Sequence, residues 1–177
     1  MWKTISKKTI LKTKVFFVTE ETCAKKDKTI INNFYVIHPK NVVVIIPLTE
    51  KNEVVVIKQY RHSVKKTDYE LPAGHIENKD KKNIKQAAIR ELLEETGYKP
   101  KTLKLIYTAY SSIGKQDNKV FYFLAKGCKK IQEQTLEKDE EIETKVMSIK
   151  KSLQLMDKNK FKDNHSVCAM LLLKNLY

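Results

Sequence analysis

Arg90-Glu-Leu-Leu-Glu-Glu-Thr-Gly97 is the stretch on which the reading of this chain turns. The pattern predicts a helix over 83–96, with Gly97 in the position of a left-handed C′ residue. At about 100° per residue, Glu91 and Glu95 lie close to one line, with Glu94 on their flank. Ile89, Leu92 and Leu93 fall on the opposite side and are expected to face the core. Ala87 and Ala88 sit one turn earlier and leave space over the acids. Carboxylates gathered on one face repel each other by roughly a few tenths of a kcal/mol per pair. They also offer the hard, oxygen-rich surroundings that Mg²⁺ or Mn²⁺ prefers. Taken alone, the same acids describe an ordinary solvated face.

Outward from this helix the chain alternates between strand and loop signals. Gln59-Tyr-Arg61 ends an apolar run, Val54-Val-Val-Ile57, and Tyr69-Glu-Leu-Pro-Ala-Gly-His-Ile-Glu77 leads to the helix. Val42-Val-Val-Ile-Ile46 is a second such run, and both read as buried strands of a central sheet. Residues 8–23 and 29–38 read as an antiparallel N-terminal hairpin joined by the polar Lys25-Lys-Asp-Lys28. A loop is expected around Pro72 and Gly74. Strands are expected at Leu103–Tyr110, Val120–Ala125 and Val146–Ile149, and helices at Lys151–Lys158 and His165–Leu176. Mixed strands and helices in one chain place it in the α/β or α+β class.

Together these segments resemble the Nudix hydrolase family. The family box runs Gly, five residues, Glu, seven residues, then Arg-Glu-apolar-x-Glu-Glu-x-Gly-apolar. Gly74 opens it here, and Arg90 to Tyr98 closes it. The QYR and ELPAG elements are similar to the ADP-ribose pyrophosphatase branch. The resemblance implies a Nudix α/β/α sandwich over 41–177 with a mixed central sheet. Residues 1–40 would be an N-terminal antiparallel β extension that pairs with a second subunit, giving a homodimer.

The resemblance also implies roles. Glu91, Glu95 and Glu140, with the carbonyl of Ala73, would hold the metal. Arg90 would hold the box carboxylates in place, and Glu94 would join them in catalysis. Arg61, Glu70 and Gly74 would stand on the substrate side. The implied reaction is Mg²⁺-dependent cleavage of a nucleoside diphosphate sugar, ADP-ribose or another ADP-sugar, to a nucleoside monophosphate and a sugar phosphate. Other nucleotides, such as GDP-mannose or a nucleoside triphosphate, and a non-catalytic nucleotide-sugar-binding protein, are the alternatives.

Two departures from the pattern bear on this. Gly74 and Arg90 are two residues further apart than in the box, so its first Glu aligns with Lys82, and Asp80 or Glu77 is left to substitute. No proline follows Pro100, where relatives in this branch carry one some fifteen residues past the box.

Composition narrows the rest. The chain has 177 residues, 41% hydrophobic and 32% charged, which fits one globular domain with a small extension. No apolar run approaches the ~20 residues of a membrane span, and the N-terminus has no signal-peptide pattern, so a cytoplasmic protein is expected. Cys23, Cys128 and Cys168 are far apart and show no CxxC spacing, which excludes a disulfide framework and a cysteine zinc site. His62, His75 and Cys128 are assigned no role. The net charge of +14 comes from lysines spread along the chain without aromatic interleaving, which argues against a nucleic-acid partner. Among 35 basic residues only Arg61 and Arg90 are arginines, so the two planar, bidentate donors fall on the two motifs.

Overall fold

The computed structural model describes residues 1–80 and 82–177, and divides into two compact units. The first comprises 1–41 and 109–119, and the second 42–108 and 120–177.

The first unit holds a three-stranded antiparallel sheet of β1 (Lys3–Lys12), β2 (Phe16–Ala24) and β3 (Ile30–Pro39). The expected strand over 8–23 is thus two strands, and β1 begins earlier than the sequence suggested. The break is made by Thr13, whose hydroxyl accepts the N–H groups of Val15 and Phe16 at 3.2 and 3.0 Å. Its N–H donates to the Phe16 carbonyl at 2.9 Å. No Gly, Pro or Asn marks this turn, so composition does not reveal it. A second polar cluster closes the unit. His38 stacks on Phe17, pairs with Asp117 at 2.6 Å and meets the Thr19 hydroxyl at 2.9 Å.

The second unit is built on a mixed sheet. Its strands are β4 (Val42–Thr49), β5 (Glu53–Arg61), β6 (Lys66–Glu70), β7 (Ala73–His75), β8 (Tyr98–Lys99), β9 (Thr102–Tyr110), β10 (Lys119–Lys130) and β11 (Ile142–Ser148). The main path runs β11-β5-β4-β10-β8, with β6 on β5, β7 on β4 and β9 on β10. β10 is parallel to β4, whereas β5 is antiparallel to both β4 and β11. β4 and β5 are buried almost throughout, as their continuous β-branched runs require. The expected loop around Pro72 holds two short strands instead, β6 and β7.

Three helices cover the sheet: α1 (Ile84–Thr96), α2 (Ile149–Asp157) and α3 (Asn164–Leu176). Asn83 caps α1 by accepting the Lys85 N–H, and Gly97 ends it at φ 75°. On one face, Ala87, Ala88 and Leu92 of α1 close a core with Val43, Ile45, Phe123 and Ala125. β4 is buried on both sides, and α3 packs on it with Ala169, Met170 and Leu173 buried. Among the described residues no helix is long and apolar enough to cross a membrane.

Candidate active site

α1 turns two of its three acids, Glu91 and Glu95, away from water, whereas the Glu94 side chain stays 41% exposed. Its buried stripe is Ala87, Ala88, Glu91, Leu92, Glu95 and Thr96. Glu91 is 9% exposed and Glu95 2%. Only Leu92 of the expected apolar trio joins the core. Ile89 and Leu93 instead line an outer cleft with Gln86, Glu94 and Thr135. Ala87 and Ala88 are packed in the core, and it is Gly74 that leaves room for a carboxylate on the inner side of the helix.

β7 supplies the floor. The Ala73 N–H donates to Glu95 Oε2 at 3.0 Å. A Cβ placed on Gly74 would overlap the Glu91 carboxylate, so a side chain here would displace that carboxylate from its place. The backbone end of Glu95 is held as well, since its carbonyl accepts the side-chain amide of Gln134 and the hydroxyl of Thr144. Sequence reasoning did not identify Gln134 or Thr144, because nothing local distinguishes them from other polar residues.

Arg90 gathers the acids from the flank. Nη1 lies 2.9 Å from both Glu91 and Glu94, and Nη2 donates to the His75 carbonyl at 3.1 Å and to Asp80 at 3.0 Å. Of the two acids in the enlarged loop, Asp80 is the one that meets Arg90. Its carboxylate is buried and also accepts the Glu77 N–H at 3.2 Å. Glu77 pairs with Lys79 at the surface, Lys82 is exposed, and Lys81 lies outside the described residues.

The electrostatics follow from the burial. Burial raises the Glu91 carboxyl to about 7, with the Arg90 charge opposing and the Glu94 and Glu140 charges adding. Burial pushes Glu95 well above the usual carboxylate range, reinforced by Glu91 and Glu140 and opposed by the Ala73 N–H. Desolvation disfavours the Arg90 cation, but Glu91, Asp80 and Glu94 outweigh it and the guanidinium is pushed up. Glu140 belongs to the loop before β11, where its Oε2 accepts the Glu137 N–H at 2.9 Å.

Arg61, at the end of β5, is held by Glu70 in a two-point fork, Nε to Oε1 at 2.9 Å and Nη2 to Oε2 at 2.6 Å. Nη1 lies outside that fork. The Glu70 side chain is only 3% exposed, whereas that of Arg61 is 46% exposed. The Glu70 bond raises the Arg61 pKa against desolvation, and the charges of Glu95 and Asp163 add to it. Arg61 is thus within electrostatic reach of the α1 acids. The structure brings together Ala73, Gly74, Arg90, Glu91, Glu94 and Glu95, with Glu140 close enough to act on two of them. Arg61 and Glu70 form a separate pair beside this group.

The acids, the glycine and the arginine brought together here are the residues of the box, and residues 38–167 match the family model described as the NUDIX domain. The chain belongs to the Nudix family. Among the relatives of this Nudix hydrolase is the ADP-ribose pyrophosphatase of Bacillus subtilis (strain 168). The two are 30% identical over 173 residues, covering 97% of this chain and 92% of the relative. The methanol dehydrogenase activator of Bacillus methanolicus is also 30% identical, over 77% of this Nudix chain and 73% of its own. A solved ADP compounds hydrolase shares the fold, with a TM-score of 0.81 at 16% identity, covering 99% and 93% of the two chains.

Proposed function

We propose that this Nudix pyrophosphatase cleaves the pyrophosphate bond of a nucleoside diphosphate sugar. ADP-ribose is the first candidate, and the products are a nucleoside monophosphate and a sugar phosphate. The observation that carries this reading is the pair Glu91 and Glu95, buried side by side with their ionisation opposed. Two interior carboxylates that resist ionisation are a latent cation site, because a divalent ion removes the cost of charging both. The resemblance of the whole chain to an ADP-ribose pyrophosphatase supports the choice of substrate.

The donor set fits Mg²⁺ or Mn²⁺, being all oxygen. Glu91, Glu95 and Glu140, with the carbonyl of Ala73, would hold the ion. Among the described residues no three His, Cys, Asp or Glu side chains are gathered closely enough to hold a metal ion by themselves. Water and substrate phosphate would complete the shell, as Mg²⁺ commonly requires. The chemistry such an ion supplies is activation of water and neutralisation of charge on the pyrophosphate. The chain's own residues do the rest. Arg90 keeps Glu91 and Glu94 aligned, Asp80 holds Arg90, and the Ala73 N–H orients Glu95. Arg61 offers charge to a phosphate beside the acids.

The protein is read as a homodimer joined through its N-terminal extension. Every residue of β1 is exposed, including Ile5, Ile10 and Leu11, and β1 is an edge strand of its sheet. Three cysteines without a disulfide support the reducing cytoplasm as its compartment.

One panel tests the activity: the protein with Mg²⁺ and ADP-sugars, GDP-sugars, nucleoside triphosphates and dinucleoside polyphosphates, with products resolved by chromatography. ADP-ribose is expected to give AMP and ribose 5-phosphate at the highest kcat/KM. Preferred turnover of a triphosphate would refute the substrate reading. Sedimentation at micromolar concentration checks the dimer, and a monomer there would overturn it.

A further inference from the structure

Glu91, Glu94 and Glu95 lie in the C-terminal half of α1. Helix ends fray first, and the last four carbonyls of a helix have no partner within it. Segment 131–135 supplies partners here. The Thr135 N–H donates to the Glu94 carbonyl at 2.8 Å, the Gln134 side-chain amide to the Glu95 carbonyl, and the Ile131 N–H to the Gly97 carbonyl at 2.9 Å. An amide nitrogen carries two N–H groups, and Gln134 Nε2 also reaches the Ile142 carbonyl at 3.4 Å. Ile142 opens β11 opposite Gln59 of β5. The Thr144 hydroxyl, from β11, joins Gln134 on the Glu95 carbonyl at 3.3 Å.

Both ends of segment 136–141 are therefore fixed, one on α1 through Thr135 and the other on β5, and Gln134 bonds to both sides. Within the segment the Glu140 N–H donates to the Glu137 carbonyl at 3.1 Å, and the Glu137 N–H to Glu140 Oε2 at 2.9 Å. A cavity of about 380 Å³ runs beside this junction, with Thr96, Gln134, Ile142 and Thr144 in its wall. Packing thus leaves the junction open on one side, and its geometry rests on these hydrogen bonds.

We propose that Gln134 and Thr144 are positioning residues: they lock the last turn of α1, and with it Glu95, to the base of the loop that carries Glu140. This rests on the reading above, in which Glu91, Glu95 and Glu140 hold a divalent ion. Glu95 is held from two directions. β7 fixes its carboxylate through the Ala73 N–H at 3.0 Å, and Gln134 with Thr144 fixes its backbone. Glu140 lies beyond the clasp, so the arc it can sweep is set by where Gln134 closes the loop. Residues that orient metal ligands without touching the metal change affinity or activity by about 10–100-fold when lost.

Gln134→Met keeps the length of the side chain and removes both donors. Thr144→Val removes the hydroxyl at nearly constant shape, and Thr144→Ser keeps it. Three measurements are made: amide hydrogen exchange of the metal-free protein, Mn²⁺ affinity without substrate from the EPR signal of the free ion, and kcat and KM for ADP-ribose with Mg²⁺. Gln134→Met should speed exchange at 93–97 and 135–142 but not in the first turn of α1. It should weaken Mn²⁺ binding about tenfold and lower kcat about tenfold, with KM changed less than about twofold. Thr144→Val should act in the same direction to a smaller extent, and Thr144→Ser should restore wild-type values. Unchanged exchange at 135–142 would overturn the proposal. So would faster exchange with wild-type Mn²⁺ affinity and kcat, which is what a merely structural bond would give. If Gln134→Met does not fold, the Thr144 pair decides, and a Val variant that matches the Ser variant overturns the proposal. If Mn²⁺ affinity falls as expected but no nucleotide sugar is hydrolysed, the positioning role stands and the assigned activity falls. A wild type that binds no Mn²⁺ refutes the cation reading, and this inference with it.

Discussion

The Glu91 carboxylate occupies the place that a side chain on residue 74 would take. The absence of a side chain at residue 74 is what lets the carboxylate of a residue 17 positions later, on a different element, stand where it does. The two were joined in the sequence only by the motif.

Gly74→Ala should disable the enzyme through Glu91. The added methyl cannot coexist with the carboxylate where it stands, so Glu91 must leave the floor of the site. A kcat loss of about a hundredfold is expected, with a lowered Tm. The stability cost should shrink in a Glu91→Ala background, since the clashing group is then gone. An unchanged cost in the double variant would show that the methyl meets something else.

Asp80 should matter and residue 82 should not. Asp80 anchors Arg90, and Arg90 in turn aligns Glu91 and Glu94. Asp80→Asn keeps the shape but removes the charge, and should lower kcat by roughly tenfold with KM little changed. Lys82→Glu should stay within twofold of wild type. A large gain from Lys82→Glu would mean that the enlarged loop had lost its acid without replacement.

Arg61→Lys should cost stability as well as affinity. A lysine offers one point charge where Glu70 receives two bonds, and Glu70 is too buried to find water instead. The half-exposed arginine limits the effect to about 1–3 kcal/mol, or a few degrees in Tm. KM for the phosphorylated substrate should also rise. An unchanged Tm in Arg61→Lys, read by calorimetry, would contradict the structural half of this account.

The metal-free protein should lose stability as pH rises through the Glu91 titration. Its carboxyl is raised from the usual 4.5 to about 7 in the folded state. Between those values the folded state holds more protons than the unfolded one. The stabilisation is therefore complete below about 4.5 and is lost by about 7. Such a shift corresponds to an order of about 3 kcal/mol, or several degrees. Glu91→Gln should flatten that part of the Tm profile. Adding Mg²⁺ should raise Tm more at pH 7.5 than at pH 5, because protons and the cation compete for the same oxygens. Equal Mg²⁺ stabilisation at both pH values would separate the cation from these acids.

Much of the architecture was legible because its causes are local. Continuous β-branched runs announced β4 and β5, and the spacing up to Gly97 announced α1. The same local reading failed at Thr13, where one hydroxyl makes the turn between β1 and β2, and around Pro72, where two short strands replace the loop. It also turned α1 the wrong way at Ile89 and Leu93. Hydrophobicity assigns acids to the outside of a helix, whereas here Gly74, Ala73 and Arg90 make a place for them inside.

The amino-acid sequence by itself determined the chemistry: which carboxylates share a helix face, which glycine faces them, and where the two arginines fall. These are matters of residue type and spacing along one element. Only the tertiary structure decided that Asp80 and not Glu77 meets Arg90, that Arg61 is already clasped by Glu70, and that Gln134 and Thr144 hold the Glu95 carbonyl. These pairings join separate elements, and the distance between two side chains on different elements is set by how the sheet and helices pack. No periodicity in the chain encodes that distance.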